Sequence, residues 1–130
     1  MRRGRDDGAA VVEFVMISVL LVVLLFGVLQ VGVYFYARNI VAASAADAAR
    51  YAAAAGVPPR SGAQRAERLI ADGLGSVDGL HCTSGPGVDP QSRLPVTTVH
   101  CTGRIRALLA PIELPVRIDS TSSAVRETTP

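Results

Sequence analysis

GAAVVEFVMISVLLVVLLFGVLQVGVYFYA, residues 8–37, decides the architecture of this chain. From Phe14 to Ala37 it runs 24 residues without a charged side chain. Wound as a helix, that run extends about 36 Å, enough to cross a hydrocarbon core of ~30 Å with some tilt. It is apolar on every side, and the remaining residues form too small a domain to enclose such a helix. The segment therefore reads as a transmembrane helix spanning about residues 14–37. Tyr34 and Tyr36 fall near its end, where an apolar ring with a polar tip suits the headgroup level.

On the N-terminal side stands a short polar leader, Met1–Gly8, with Arg2, Arg3 and Arg5. Arg38 and Arg50 follow the run, so the bias of positive charge puts the N-terminus in the cytoplasm and the rest outside. Two cysteines in the exported part agree with that orientation, because such pairs are commonly oxidised. On the C-terminal side the helix continues, since Asn39–Ala55 is alanine-rich and free of glycine and proline, with Asp47 and Arg50 at i,i+3 spacing. Gly56 suits a left-handed position past the helix end, and Pro58 with Pro59 prevents continuation. A helix over 9–55 would be about 70 Å long, roughly twice a bilayer, so its second half is expected to project. The net charge is +2 with no lysine among 130 residues, which leaves no basic patch and no support for nucleic-acid binding.

Residues 56–130 read as a small extracytoplasmic domain. Ser61 and Gln64 have the spacing of a capping box, and Ala63, Ala66, Leu69, Ile70 and Leu74 follow at helical intervals before Gly73 and Gly75 mark the exit. The period then changes to two. Val99, Cys101, Ile105 and Ala107 alternate with His100, Thr102, Arg104 and Arg106, a strand with one wet face. Ile112, Leu114, Val116 and Ile118 alternate with Glu113, Arg117 and Asp119, with Pro115 suiting an edge strand and Leu109–Pro111 as the connection. A shorter strand is expected around Leu80–Thr83, then a loop from Gly85 to Pro90, and a poorly ordered tail from Ser120 to Pro130. The expected fold class is α+β: one long N-terminal helix, one short helix and an antiparallel sheet of about three strands.

His81-Cys82-Thr83 and His100-Cys101-Thr102 raise a zinc site of two cysteines and two histidines. On strands, neighbouring side chains point to opposite faces, so a face carrying both sulfurs cannot also carry both histidines. A disulfide between Cys82 and Cys101 needs only the sulfurs to face each other, and closing that loop would contribute ~3 kcal/mol in the chain-entropy model. Two free buried thiols remain the other reading. No serine, histidine and carboxylate arrangement, phosphate loop or paired carboxylates can be picked out, so neither an enzyme nor a cofactor or metal is expected.

Glu13 is the most informative residue. A carboxylate near the start of an apolar span is costly, ~2.5 to 3.5 kcal/mol at the bilayer centre and less at the margin, and such residues mark function and a cationic partner. Five residues upstream lies Gly8. The run Gly8-Ala9-Ala10-Val11-Val12-Glu13-Phe14 before an apolar helix resembles the processing signature of type IV prepilins. More narrowly, the chain resembles the TadE-like minor pilins (pseudopilins) of the tight-adherence (Tad, Flp) pilus, through Gly27 and Ala45-Ala46-Asp47-Ala48-Ala49-Arg50-Tyr51. The likeness covers about the first 55 residues. It departs from the family at Val19, where many members carry proline, and at Ala48, where glycine is common.

The resemblance implies that a prepilin peptidase in the membrane cuts after Gly8, leaving Ala9 as the new N-terminus and Glu13 and Phe14 as its fifth and sixth residues. It implies other pilin subunits and the pilus assembly platform as partners, and the cytoplasmic membrane, then the pilus or cell surface, as location. By resemblance the major subunit is little more than a helix, so the additional domain suits a minor subunit in assembly, initiation or tip function, with adhesion one outcome. Two other readings compete: an unprocessed single-pass anchor whose outer domain is an adaptor or sensor, and an exported protein cut after Ala43-Ser44-Ala45. A signal-peptide core runs only ~7 to 15 apolar residues, which speaks against the second.

Overall fold

The computed structural model describes residues 6–105 and 116–127. Its elements in chain order are helix α1 (Asp6–Ala53), helix α2 (Ser61–Leu74) and strands β1 (Asp78–Val88), β2 (Pro95–Ile105) and β3 (Val116–Val125). This is the expected α+β class. The chain divides into two compact units, Met1–Val33 and Tyr34–Pro130.

In the first unit α1 has no buried face. Its side chains from Val11 to Leu29 are exposed or nearly so, and Phe14 is 71% exposed. Among the described residues, one helix is long and apolar enough to cross a membrane; the richest window has a mean hydropathy of 2.9 and none of it is buried. A core helix would be mostly covered by its own protein, so the exposure fits a single-pass membrane anchor.

The second unit is a layer of helix on a three-stranded antiparallel sheet of order β1-β2-β3. Here α1 presents a stripe of small residues, Ala37, Val41, Ser44, Ala45, Ala48, Ala49, Ala52 and Ala53, all buried. Three- and four-residue spacing places them on one side of the helix, and their short side chains let other elements approach closely. Ala66 and Ile70 of α2 join the same cluster together with Cys82, Val99, Cys101 and Ile118 of the sheet. Ala48 is fully buried in this stripe.

The end of α1 is satisfied by tertiary partners. Thr97, fully buried, donates its hydroxyl to the Ala52 carbonyl at 3.3 Å, and the Glu127 amide donates to the Ala53 carbonyl at 2.9 Å. These take up carbonyls that the helix itself leaves unpaired. Gly56, at φ +79°, serves the following turn, in which the Val57 amide reaches the Ala54 carbonyl.

Several expectations need correction. The Ser61–Gln64 capping box does not form: α2 has Arg60 at its N-cap with no side-chain cap bond, and Ser61 Oγ donates instead to the Pro58 carbonyl at 2.7 Å. The proline turn before the helix competes for the hydroxyl. Asp47 pairs with Arg65 of α2 at 2.8 Å, and the Arg65 guanidinium stacks 4.7 Å from the Tyr51 ring centre. Gly85–Val88 is strand, not loop, and β2 starts at Pro95. The tail reading fails over Ser120–Val125, which pairs with Val96–Cys101 in register. The expected wet-face residue Arg106, Ala107, the connection Leu109–Pro111, and Ile112, Glu113, Leu114 and Pro115 lie outside the described residues.

Gly62 is held by packing. A Cβ there would lie 2.6 Å from Ser84 Oγ and 3.0 Å from a Val99 methyl. Gly62→Ala should lower stability by ~1 to 3 kcal/mol, measured by denaturant unfolding of the full chain in detergent. An unchanged midpoint would mean that α2 sits farther from the sheet.

The turn between β1 and β2 is organised by Asp89. Its carboxylate accepts the Gln91 and Ser92 amides at 2.7 and 3.1 Å, and those two backbone hydrogen bonds hold its pKa below the usual aspartate value. A depressed carboxylate stabilises the fold above its unfolded pKa, and the gain is lost as pH falls through the lower folded value. Acid titration should therefore release these amides at a pH below that of a free aspartate, read by their NMR shifts. Release at the free-aspartate pH would contradict the turn geometry.

Candidate functional site

Gly8, Ala9, Glu13 and Phe14 all fall in α1, while Arg2, Arg3 and Arg5 of the leader lie outside the described residues. Gly8 and Ala9, the two sides of the expected cut, are exposed and helical, and Glu13 and Phe14 follow one turn later, also exposed. Ala9 and Glu13 are four positions apart and share a face, separated by about 6 Å along the axis. Among the described residues Glu13 makes no hydrogen bond or ion pair, and the next polar side chain, Ser18, donates to the Phe14 carbonyl at 2.8 Å. Nothing lies within 4 Å of where a Gly8 Cβ would be. Packing does not ask for glycine there, and within a helix it costs about 0.5 to 1 kcal/mol relative to alanine.

In the second unit Cys82 and Cys101 are direct cross-strand partners and form a disulfide, with Cα atoms 4.1 Å apart. The Cys82 amide points away from β2 and donates to Glu67 Oε1 of α2 at 3.0 Å, so the pair is a non-hydrogen-bonded one, the closer of the two kinds in an antiparallel ladder. His81 and His100 pair with Thr102 and Thr83 on the other face, away from the sulfurs. His100 Nδ1 lies 2.7 Å from Thr121 Oγ1 and 3.5 Å from Asp119 Oδ1. Both contacts use the same ring nitrogen, whereas a proton relay needs the carboxylate on one nitrogen and the nucleophile on the other.

Residues 8–50 match the family model described as TadE-like protein. Over this third of its length the chain is similar to TadE-like proteins. No curated protein and no solved structure gives a match. The TadE-like segment begins at Gly8, takes in Glu13 and the whole apolar run, and ends at Arg50 on the alanine-rich part of α1. The short helix and sheet lie beyond the matched residues. Sequence reasoning missed Glu67 and Arg65, whose partners are supplied by elements 15 and 18 residues away and carry no local signal.

Proposed function

We propose that the chain is a minor pilin of a Tad pilus, made as a precursor and cut after Gly8 by a prepilin peptidase. The observation that carries this reading is that the TadE-like match opens at Gly8, a glycine that the helix around it does not need. Cleavage frees the amine of Ala9. In a filament of parallel helices that cation meets Glu13 of a neighbouring subunit, which offsets the desolvation of both charges and fixes the axial register. The exposed apolar surface of α1 supplies the rest of the contact, against lipid before assembly and against other pilin helices afterwards. Positive charge in the leader holds the N-terminus in the cytoplasm, and the second unit is carried outside. Such a head suits a subunit that initiates or tips the filament, engaging the assembly platform or a surface.

Gly8→Val tests the processing step. The substituted chain should keep its leader in host membranes, giving an intact mass larger than the mature protein by residues 1–8. Cutting at the normal rate would contradict the assignment of Gly8.

A further inference from the structure

Both cysteines of the disulfide are buried. Cys82 is 4% exposed and Cys101 is 0% exposed, and both belong to one cluster with Ala66 and Ile70 of α2, each fully buried. Alanines 45, 48 and 49 of α1 belong to the same cluster. α2 is fastened to the sheet next to the sulfurs: Glu67 accepts the Cys82 amide, Ser84 Oγ donates to the Pro59 carbonyl just before α2, and Gly62 leaves no room for a side chain against Ser84 and Val99.

Thiol–disulfide exchange requires a thiolate to approach a disulfide sulfur directly, through a mixed disulfide. An oxidant must therefore bring its own sulfur against Cys82 or Cys101, and both are buried in the folded unit.

We propose that the Cys82–Cys101 bond is made while α2 is undocked, by a disulfide-bearing oxidant of the exported compartment, and that docking of α2 then seals it. One cysteine thiolate attacks the oxidant's disulfide, forming a mixed disulfide and releasing one oxidant thiolate. The second cysteine thiolate attacks the first cysteine's sulfur, closing Cys82–Cys101 and releasing the second. The two cysteines are oxidised by two electrons, the oxidant leaves as a dithiol, and the two protons given up by the cysteines end on it. The oxidation step thus precedes completion of the domain, and the finished domain no longer exchanges with thiols.

Dithiothreitol reduction of the full chain in detergent follows the reverse route, so it reports the same accessibility. New thiols are counted by the gel shift with a polymer-linked maleimide. Reduction should be at least about tenfold slower in native buffer than in concentrated urea. Ile70→Ala, which loosens α2 without replacing either cysteine, should speed the native reaction by at least about tenfold and leave the urea rate unchanged. A native rate within tenfold of the urea rate, or an Ile70→Ala rate equal to that of the unsubstituted chain, would overturn the proposal.

Discussion

Glu13→Val should leave the chain in the membrane at its normal level and deplete it from sheared pili by about tenfold or more. The substitution removes the one carboxylate of the apolar segment, so insertion becomes easier, by up to ~3 kcal/mol at the bilayer centre and less at the margin. On the proposed function, assembly loses the partner of the Ala9 amine. Close charge pairs at protein interfaces couple by about 1.5 to 7 kcal/mol in measured cases, and 1.4 kcal/mol is already tenfold in occupancy. Quantifying the chain in membranes and in sheared pili by immunoblot checks both halves. Glu13→Val present in pili at the normal level would show that Glu13 is only a headgroup-level residue.

Ile70→Ala should cost about 2 to 5 kcal/mol of stability in the second unit. Among the described residues Ile70 is the largest fully buried side chain, and with Ala66 it brings α2 into the cluster formed by α1 and the sheet. Its loss leaves a cavity beside the disulfide that short alanine side chains on α1 cannot collapse to fill. The fall in denaturation midpoint of the full chain in detergent measures it. A loss below ~1 kcal/mol would mean that α2 does not rest on the sheet through this residue.

The apolar run was legible because nothing except a bilayer or other helices can cover a helix that is apolar all round, and its composition alone says so. Strand β2 was legible for a similar reason: Val99 and Cys101 are buried while His100 and Thr102 face out, and burial on one face writes the alternation into the sequence. β3 was missed past Asp119 because Ser120 to Ser123 carry no apolar alternation. There the strand is decided by pairing with β2 and by contacts such as Thr98 Oγ1 to Ser123 Oγ at 2.9 Å. β1 was shortened for the same reason, since Gly85, Pro86 and Gly87 read as a loop until β2 pairs with them. Asp47 illustrates the limit of local spacing: Arg50 is three residues away, yet Arg65 wins because α2 is packed alongside.

The candidate site divides along the same line. The roles proposed for Gly8 and Glu13 rest on spacing along one helix, which a sequence displays directly. The disulfide could be anticipated from alternation on two strands, but its burial in one cluster with Ile70 and its fastening through Glu67 depend on where α2 lands, which only the fold supplies.

The most direct test of the central claim is the intact mass and N-terminal sequence of the protein extracted from host membranes, with and without the prepilin peptidase. A chain that begins at Ala9 only when the peptidase is present is the predicted result. A retained leader in both strains, as for an unprocessed anchor, or a start at Ala46, as for an exported protein, would contradict it.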